Sequence, residues 1–470
     1  MQDPSIFVGE GLPVAFSSIS FLFYFLPLFF IIYYLIPARA KNVVLLAGSL
    51  FFYAWGEPRW ILLLLASILV TWLLGRAMRP EASAGRRGLL ILGLVFQLGL
   101  LVAVKYAGFF FGAFIDLPKL HLPLGVSFYT FHAISYLVDV YRQKTPPQKN
   151  LLRLGLYLAL FPKLVMGPIV PYHELEPALA QRTLSVQDVS DGCFRFTIGL
   201  AKKALLADAL AGLVTGIWGD LASLTVLSAW LGLIGYALQL YFDFSGYSDM
   251  AIGAAKMFGF EFLANFDYPY CADSVAAFWR RWHMSLGFWF RTYIYIPLGG
   301  SRCGTARTIC NLLLVWLLTG IWHGAAATFV VWGLYYGLLL ILEKFVLRDA
   351  LARVPSILRR VLTFLLVVIG WVPFFSDTLG QAGAWLARMF SAGQAGFVDA
   401  AARYYLRTAW PVLLIAVFAA LPYGCRFGNR FFRAGRTASM ASSLYFIGLL
   451  LLCIAGMVNG TYVSFLYAQF

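Results

Sequence analysis

His323 lies in LLTGIWHGAAATF, near the middle of residues 309–342, a run of 34 residues without Asp, Glu, Lys or Arg. An ionisable side chain is costly inside hydrocarbon, so its presence there calls either for a function or for a hydrogen-bonded partner on a neighbouring helix. The small, flexible glycine that follows tilts the reading toward function. Burial in a low dielectric disfavours imidazolium and leaves a neutral ring able to accept a proton, which is what a general base needs. As one helix the run would reach about 51 Å, against a hydrocarbon core of about 30 Å. It must therefore tilt strongly or break. HGAAA is the predicted break, placing the imidazole in a protein-lined cavity rather than against lipid.

A second constellation precedes it. Residues 268–308, YPYCADSVAAFWRRWHMSLGFWFRTYIYIPLGGSRCGTART, alternate aromatic and basic side chains and carry five arginines against one aspartate. The pattern predicts interfacial helices whose aromatics sit at headgroup level while Arg280, Arg281, Arg291, Arg302 and Arg307 reach phosphates or anionic lipids. His283, in FWRRWH, either lies idle at that surface or lines the same cavity as His323. The run 221–242 ends in YFDFSGYSD, with Ser245 and Ser248 between Asp243 and Asp249. A helix-breaking turn capped by these side chains is its expected role, with substrate positioning the alternative. Lys163 in FPKLVMGPIV, and Lys202 and Lys203 in GLAKKALLAD, are expected to snorkel. No P-loop, GxSxG, HExxH or glycosidase-like carboxylate pair occurs. The six cysteines (Cys193, Cys271, Cys303, Cys310, Cys425 and Cys453) form no CxxC and no zinc spacing. They read as small apolar side chains, and no metal site is expected.

The elements that must position these residues are membrane spans. With 61% hydrophobic and 12% charged residues in 470 and a mean hydropathy of +0.79, a soluble monomer is excluded. The apolar runs recur from end to end, which predicts one integral-membrane domain over 1–470. Uncharged runs fall at 11–38, 42–56, 60–75, 88–104, 122–138, 154–165, 221–242, 309–342, 361–376, 408–425 and 437–470. They predict an all-α polytopic protein of roughly 10 to 14 membrane-embedded segments, some of them tilted, re-entrant or interfacial. The net charge of +15 reads as positive-inside loops, with little surface left for a nucleic acid. Basic clusters at Arg76, Arg79, Arg86 and Arg87, at Arg142, Lys144, Lys149 and Arg153, and at Arg426, Arg430, Arg433 and Arg436 are expected in the cytoplasm. The beginning, MQDPSIFVGEGLP, has no basic residue and no cleavage-site pattern, so it is expected to stay attached and to lie outside.

The ordered blocks FSSISFLFYFLPLFFIIYYLIP, SLFFYAWGEP, PLGVSFYTFHAISYLVDVYR, FPKLVMGPIV, GLAKKALLAD, LQLYFDFSGYSDMAIG, NFDYPY, FWRRWHMSLGFWFRTYIYIPLGG and LTGIWHGAAATFVVWG together resemble the membrane-bound O-acyltransferases, in particular the alginate O-acetylation branch. The closing SFLYAQF is similar to that branch's usual end, while Pro171 stands where the branch usually carries a basic residue. The resemblance implies helices around a central catalytic tunnel, with His323 as the catalytic residue and His283 at the family's second polar position. It implies acetyl-CoA as donor substrate, with no permanently bound cofactor, and an extracytoplasmic SGNH-hydrolase-like partner in a bacterial inner membrane. It implies O-acetylation of an exopolysaccharide, alginate first and cellulose or another cell-surface glycan second. Arg280, Arg281 and Arg302 are the expected holders of the coenzyme's phosphates, with Trp279, Trp322 and Asp243 as further contacts. Cys271 is the nearest thiol that could carry an acyl group. A polytopic transporter using intramembrane His and Asp is the alternative from another class, and the absence of paired halves counts against it. A non-catalytic scaffold is a third reading.

Overall fold

The structure is a computed structural model that describes residues 16–78, 85–106, 122–218, 223–391, 396–423, 435–459 and 465–466, with side chains from 440 onward in the 435–459 segment. The first residues of the 11–38 run, Arg79, Cys425, the cluster Arg426, Arg430 and Arg433, the Arg436 side chain and most of SFLYAQF lie outside them. Among the described residues every regular element is helical. Six helices are long and apolar enough to cross a bilayer: Arg86–Tyr106, Val226–Met257, Thr305–His323, Ala327–Phe345, Ser356–Phe375 and Met440–Asn459. The chain is thus an all-α, multi-pass membrane protein. Several of the other expected segments take up shorter helices, among them Lys41–Gly56, Ile61–Ala77 and Val126–Tyr141, and 408–425 falls largely in Ala400–Ala419. Burial separates the spans by role: 78% of the apolar window of Val226–Met257 is enclosed by protein, against 6% for Met440–Asn459. The first is an interior helix and the second turns nearly all its side chains outward.

Two compact units divide the chain, residues 1–196 with 247–263, and 197–246 with 264–470. In the first, Phe21, Phe25, Phe29, Phe52 and Phe161 pack with ring centroids 5.4 to 6.3 Å apart. Arg182 completes the C-terminal end of Val226–Met257. The Tyr34 hydroxyl donates to the Met257 carbonyl at 2.7 Å, and the Tyr33 hydroxyl and Arg182 Nε donate to that of Phe258 at 3.0 and 3.1 Å. These donors satisfy carbonyls that the helix end leaves without internal partners. Lys163 in this unit does not snorkel. It is fully buried, with its Nζ 4.3 Å from the centre of the Tyr157 ring, because its short helix Phe161–Leu164 is itself enclosed.

The second unit is built on a hairpin of Thr305–His323 and Ala327–Phe345. The predicted break falls where expected: the helix ends at His323, and residues 324–326 connect it to the next. Gly320 and Gly333 let the two backbones meet, since a Cβ on Gly320 would run into the Phe329 carbonyl oxygen and one on Gly333 into that of Trp316. Small residues at such a crossing are how membrane helices approach closely.

Three expectations are corrected. YFDFSGYSD does not break its helix, for Val226–Met257 runs through it uninterrupted. Its acids are satisfied by cations instead of by backbone caps, Asp249 by Arg195 at 3.0 Å and Asp243 by Lys203 at 2.8 Å. Lys203, expected to snorkel, is 1% exposed, drawn inward by that pairing. Not all aromatics of 268–308 face outward as expected: Phe288 is exposed, but Phe278, Trp282 and Trp289 are buried in the protein interior.

Replacing Gly333 by alanine forces its Cβ against the Trp316 carbonyl oxygen. We expect a loss of about 1–3 kcal/mol of stability, read as a lower midpoint of thermal unfolding in detergent, while Gly383→Ala, where nothing lies within 4 Å of an added Cβ, leaves it unchanged.

Candidate active site

His323 is the last residue of its spanning-length helix and is 2% exposed. Aromatic rings surround it, with centroids at 4.7 Å for Trp322, 4.9 Å for Trp332 and 5.3 Å for Phe374. The break after it follows from local chemistry: Gly324 has extended backbone, and an added Cβ there would strike the Phe329 ring. The imidazole therefore sits at an irregular turn, with Gly324 behind it buried as well.

His283 belongs to the same aromatic cluster. Its ring lies 4.7 Å from that of Phe244 and 6.2 Å from that of Trp322, so Trp322 neighbours both histidines. The residue is 2% exposed, and it occupies the left-handed backbone region at φ 46° and ψ 53°, just ahead of helix Met284–Phe290. That conformation costs a non-glycine residue about 1–3 kcal/mol and persists only where surrounding contacts enforce it. The enforcing contacts are backbone bonds from Met284 N–H to the Asn265 carbonyl and from Asp267 N–H to the Arg281 carbonyl, both 2.9 Å. Burial pushes the His283 imidazole down to about 3, so the ring stays neutral throughout the physiological range.

Trp279 stands one ring further out, 5.7 Å from Trp332 and 4.7 Å from Trp316. Its short helix, Val275–Trp279, starts at Ser274, whose hydroxyl accepts from Ala277 N–H at 3.0 Å. Glu343 also accepts there, from Val275 N–H at 2.7 Å, putting a carboxylate at the positive end of the helix. Asp243 anchors the other side of the site. Lys203 Nζ is 2.8 Å from both Asp243 and Asp208, the Leu466 N–H donates to Asp243 at 2.8 Å, and the Phe465 ring covers the ammonium at 4.5 Å. The next residue, Phe244, is the ring that rests on His283. Arg280 and Arg302 are exposed and Arg281 is half-buried. Among the described residues no three His, Cys, Asp or Glu side chains gather as metal ligands.

The fold thus brings His323, Trp322 and His283 together, with Trp279 one ring beyond. The sequence reading missed Asn265, Trp332, Phe374 and Glu343. Asn265 stood in the block NFDYPY, whose pattern gives a loop with no indication of what its polar side chain meets. Glu343 directly follows the uncharged run 309–342, and nothing in the sequence places it against Val275.

Residues 148–350 match the profile of MBOAT, the membrane-bound O-acyltransferase family. The chain is 43% identical over 394 residues to "Probable alginate O-acetylase AlgI" of Pseudomonas aeruginosa, covering 81% of this chain and 75% of the relative. To the protein of the same name in Azotobacter vinelandii it is 42% identical over 429 residues, 88% and 85% of the two chains. To the peptidoglycan O-acetyltransferase of Helicobacter pylori it is 35% identical over 410 residues, 78% of each.

Removing one partner from a buried ion pair leaves an uncompensated charge and costs about 3–5 kcal/mol. Lys203→Met, which strands the Asp243 and Asp208 carboxylates that share its ammonium, should therefore lower the unfolding midpoint sharply, and adding Asp243→Leu should recover most of the loss. A double variant as unstable as the single one would show that the carboxylate does more than balance Lys203.

Proposed function

This chain belongs to the membrane-bound O-acyltransferase family, and from that premise we propose that it takes acetyl from cytoplasmic acetyl-CoA and passes it across the bacterial inner membrane for O-acetylation of an exopolysaccharide, alginate in the first place. The supporting observation is His323 itself, a buried imidazole at the end of a spanning-length helix, ringed by Trp322, Trp332 and Phe374, in a chain so similar to the alginate O-acetylases.

In this reading neutral His323 takes the proton of a hydroxyl while that oxygen bonds to the thioester carbonyl carbon. The tetrahedral oxyanion collapses, the carbon–sulfur bond breaks, and the thiolate leaves as coenzyme A, receiving the proton held on the imidazolium. A low-dielectric, aromatic-walled site strengthens each of these electrostatic interactions. Arg280, Arg281 and Arg302 hold the coenzyme's phosphates, as guanidinium forks suit phosphate oxygens. Trp279 and Trp322 wall the acyl path, and Asp243, paired with Lys203, holds Phe244 against His283. An extracytoplasmic SGNH-hydrolase-like protein is the partner that sets the acetyl group on the glycan. Similarity to a peptidoglycan O-acetyltransferase favours, as the second reading, the same chemistry on another cell-envelope glycan.

The test is coenzyme A release from acetyl-CoA by the purified chain in nanodiscs, with the periplasmic partner and alginate or peptidoglycan fragments supplied. His323→Ala should lower transfer by about 10²–10⁴-fold while the protein keeps its unfolding midpoint, and His283→Ala should lower it less. Equal transfer by wild type and a folded His323→Ala protein removes the base, and solute flux without coenzyme A release would turn the reading to transport.

A further inference from the structure

Asn265 is 1% exposed, and its side-chain oxygen faces three groups. They are the Ser285 N–H at 3.1 Å, the Ser285 hydroxyl at 2.9 Å and the Nδ1 atom of His283 at 3.2 Å. The backbone nitrogen of Ser285 can only donate, so the amide atom turned toward it is the oxygen and not the NH2 group. An amide oxygen can only accept, so the Nδ1 atom sharing it carries a hydrogen. A neutral imidazole has one N–H, and with the hydrogen on Nδ1 the lone pair is on Nε2. The left-handed backbone at His283 and the bond from Met284 N–H to the Asn265 carbonyl tie the two residues together through the main chain as well.

We propose that Asn265 is the positioning residue of His283, holding its ring as the Nδ1–H tautomer so that Nε2 accepts a hydrogen bond from an N–H or O–H of the bound substrates. The proposal rests on the acyl-transfer reading above and deepens it by dividing the roles. His323 takes the proton of the attacking hydroxyl, and His283 receives a second polar hydrogen that fixes a reactant in place. The substrate hydrogen belongs either to the acyl donor, whose pantetheine arm carries amide N–H groups, or to the hydroxyl-bearing acceptor that takes the acetyl group from it.

The full chain in nanodiscs, labelled with 15N at histidine and compared with His283→Gln for assignment, reports the tautomer directly through two-bond correlations. The wild-type ring should show Nδ1–H with unprotonated Nε2. Asn265→Ala should release the tautomer and lower kcat by about 10²-fold, and Asn265→Asp, which keeps an acceptor at the same place, should preserve the tautomer and restore most of kcat. A shift of the Nε2 resonance on adding coenzyme A identifies the donor as its source, and one seen only with glycan fragments identifies the acceptor. An Nε2–H tautomer in the wild type, a tautomer or kcat indifferent to Asn265→Ala, or no Nε2 shift with either addition would overturn the proposal. The tautomer is read without turnover, so its failure is distinguishable from failure of the transfer reading, which stands or falls on His323→Ala.

Discussion

A polar ring at membrane depth has to be enclosed by protein, and the second unit is arranged around that constraint. His323 ends one apolar helix at the point where the chain turns back into another, and both the ring and the irregular backbone behind it are shielded from lipid. The shield is aromatic. Trp322, Trp332 and Phe374 touch the imidazole, and Trp371 extends the layer to Trp282 at 5.0 Å and Phe374 at 5.4 Å. Rings of this size fill space with few rotatable bonds, so the enclosure is rigid as well as apolar.

Rigidity at the centre depends on close backbone approach and paired charge at the periphery. Gly320 and Gly333 draw the hairpin's helices together at the turn that carries His323. The triad of Lys203, Asp208 and Asp243 provides an ionic counterpart, with two carboxylates around one buried ammonium and the Leu466 N–H taking a further lone pair. Because Asp243 and Phe244 are consecutive, the same helix that neutralises the cation also supplies the ring under His283. Charge satisfaction and ring placement are thereby set by one element, and a change in either is felt by the other.

His283 illustrates how a strained residue is held in place by its neighbours. An L-residue with positive φ is disfavoured unless the surrounding structure imposes it, and here two loop segments, 265–267 and 281–285, are laced together around it. The ring held there meets Asn265, Phe244 and Trp322. Arg280, Arg281 and Arg302 differ from the histidines in burial. Exposed or half-exposed, they suit the capture of an anionic group at the surface more than the handling of a proton within.

Much of this was written in the chain's local chemistry. Composition decided the solvent, uncharged runs decided that the elements are helices, and the excess length of residues 309–342 around HGAAA decided the break that follows His323. Those inferences succeed because hydrocarbon forbids unpaired backbone groups and isolated charges, a penalty that acts on each segment separately. Only the tertiary structure decided which polar groups have partners. Lys203 seemed free to snorkel until Asp243, forty positions away, was brought against it, and YFDFSGYSD kept its helix for the same reason. Asn265 and His283 are eighteen positions apart, and no periodicity links them. Pairing energy depends on distances in space, and a sequence specifies those only through the packing of the whole chain.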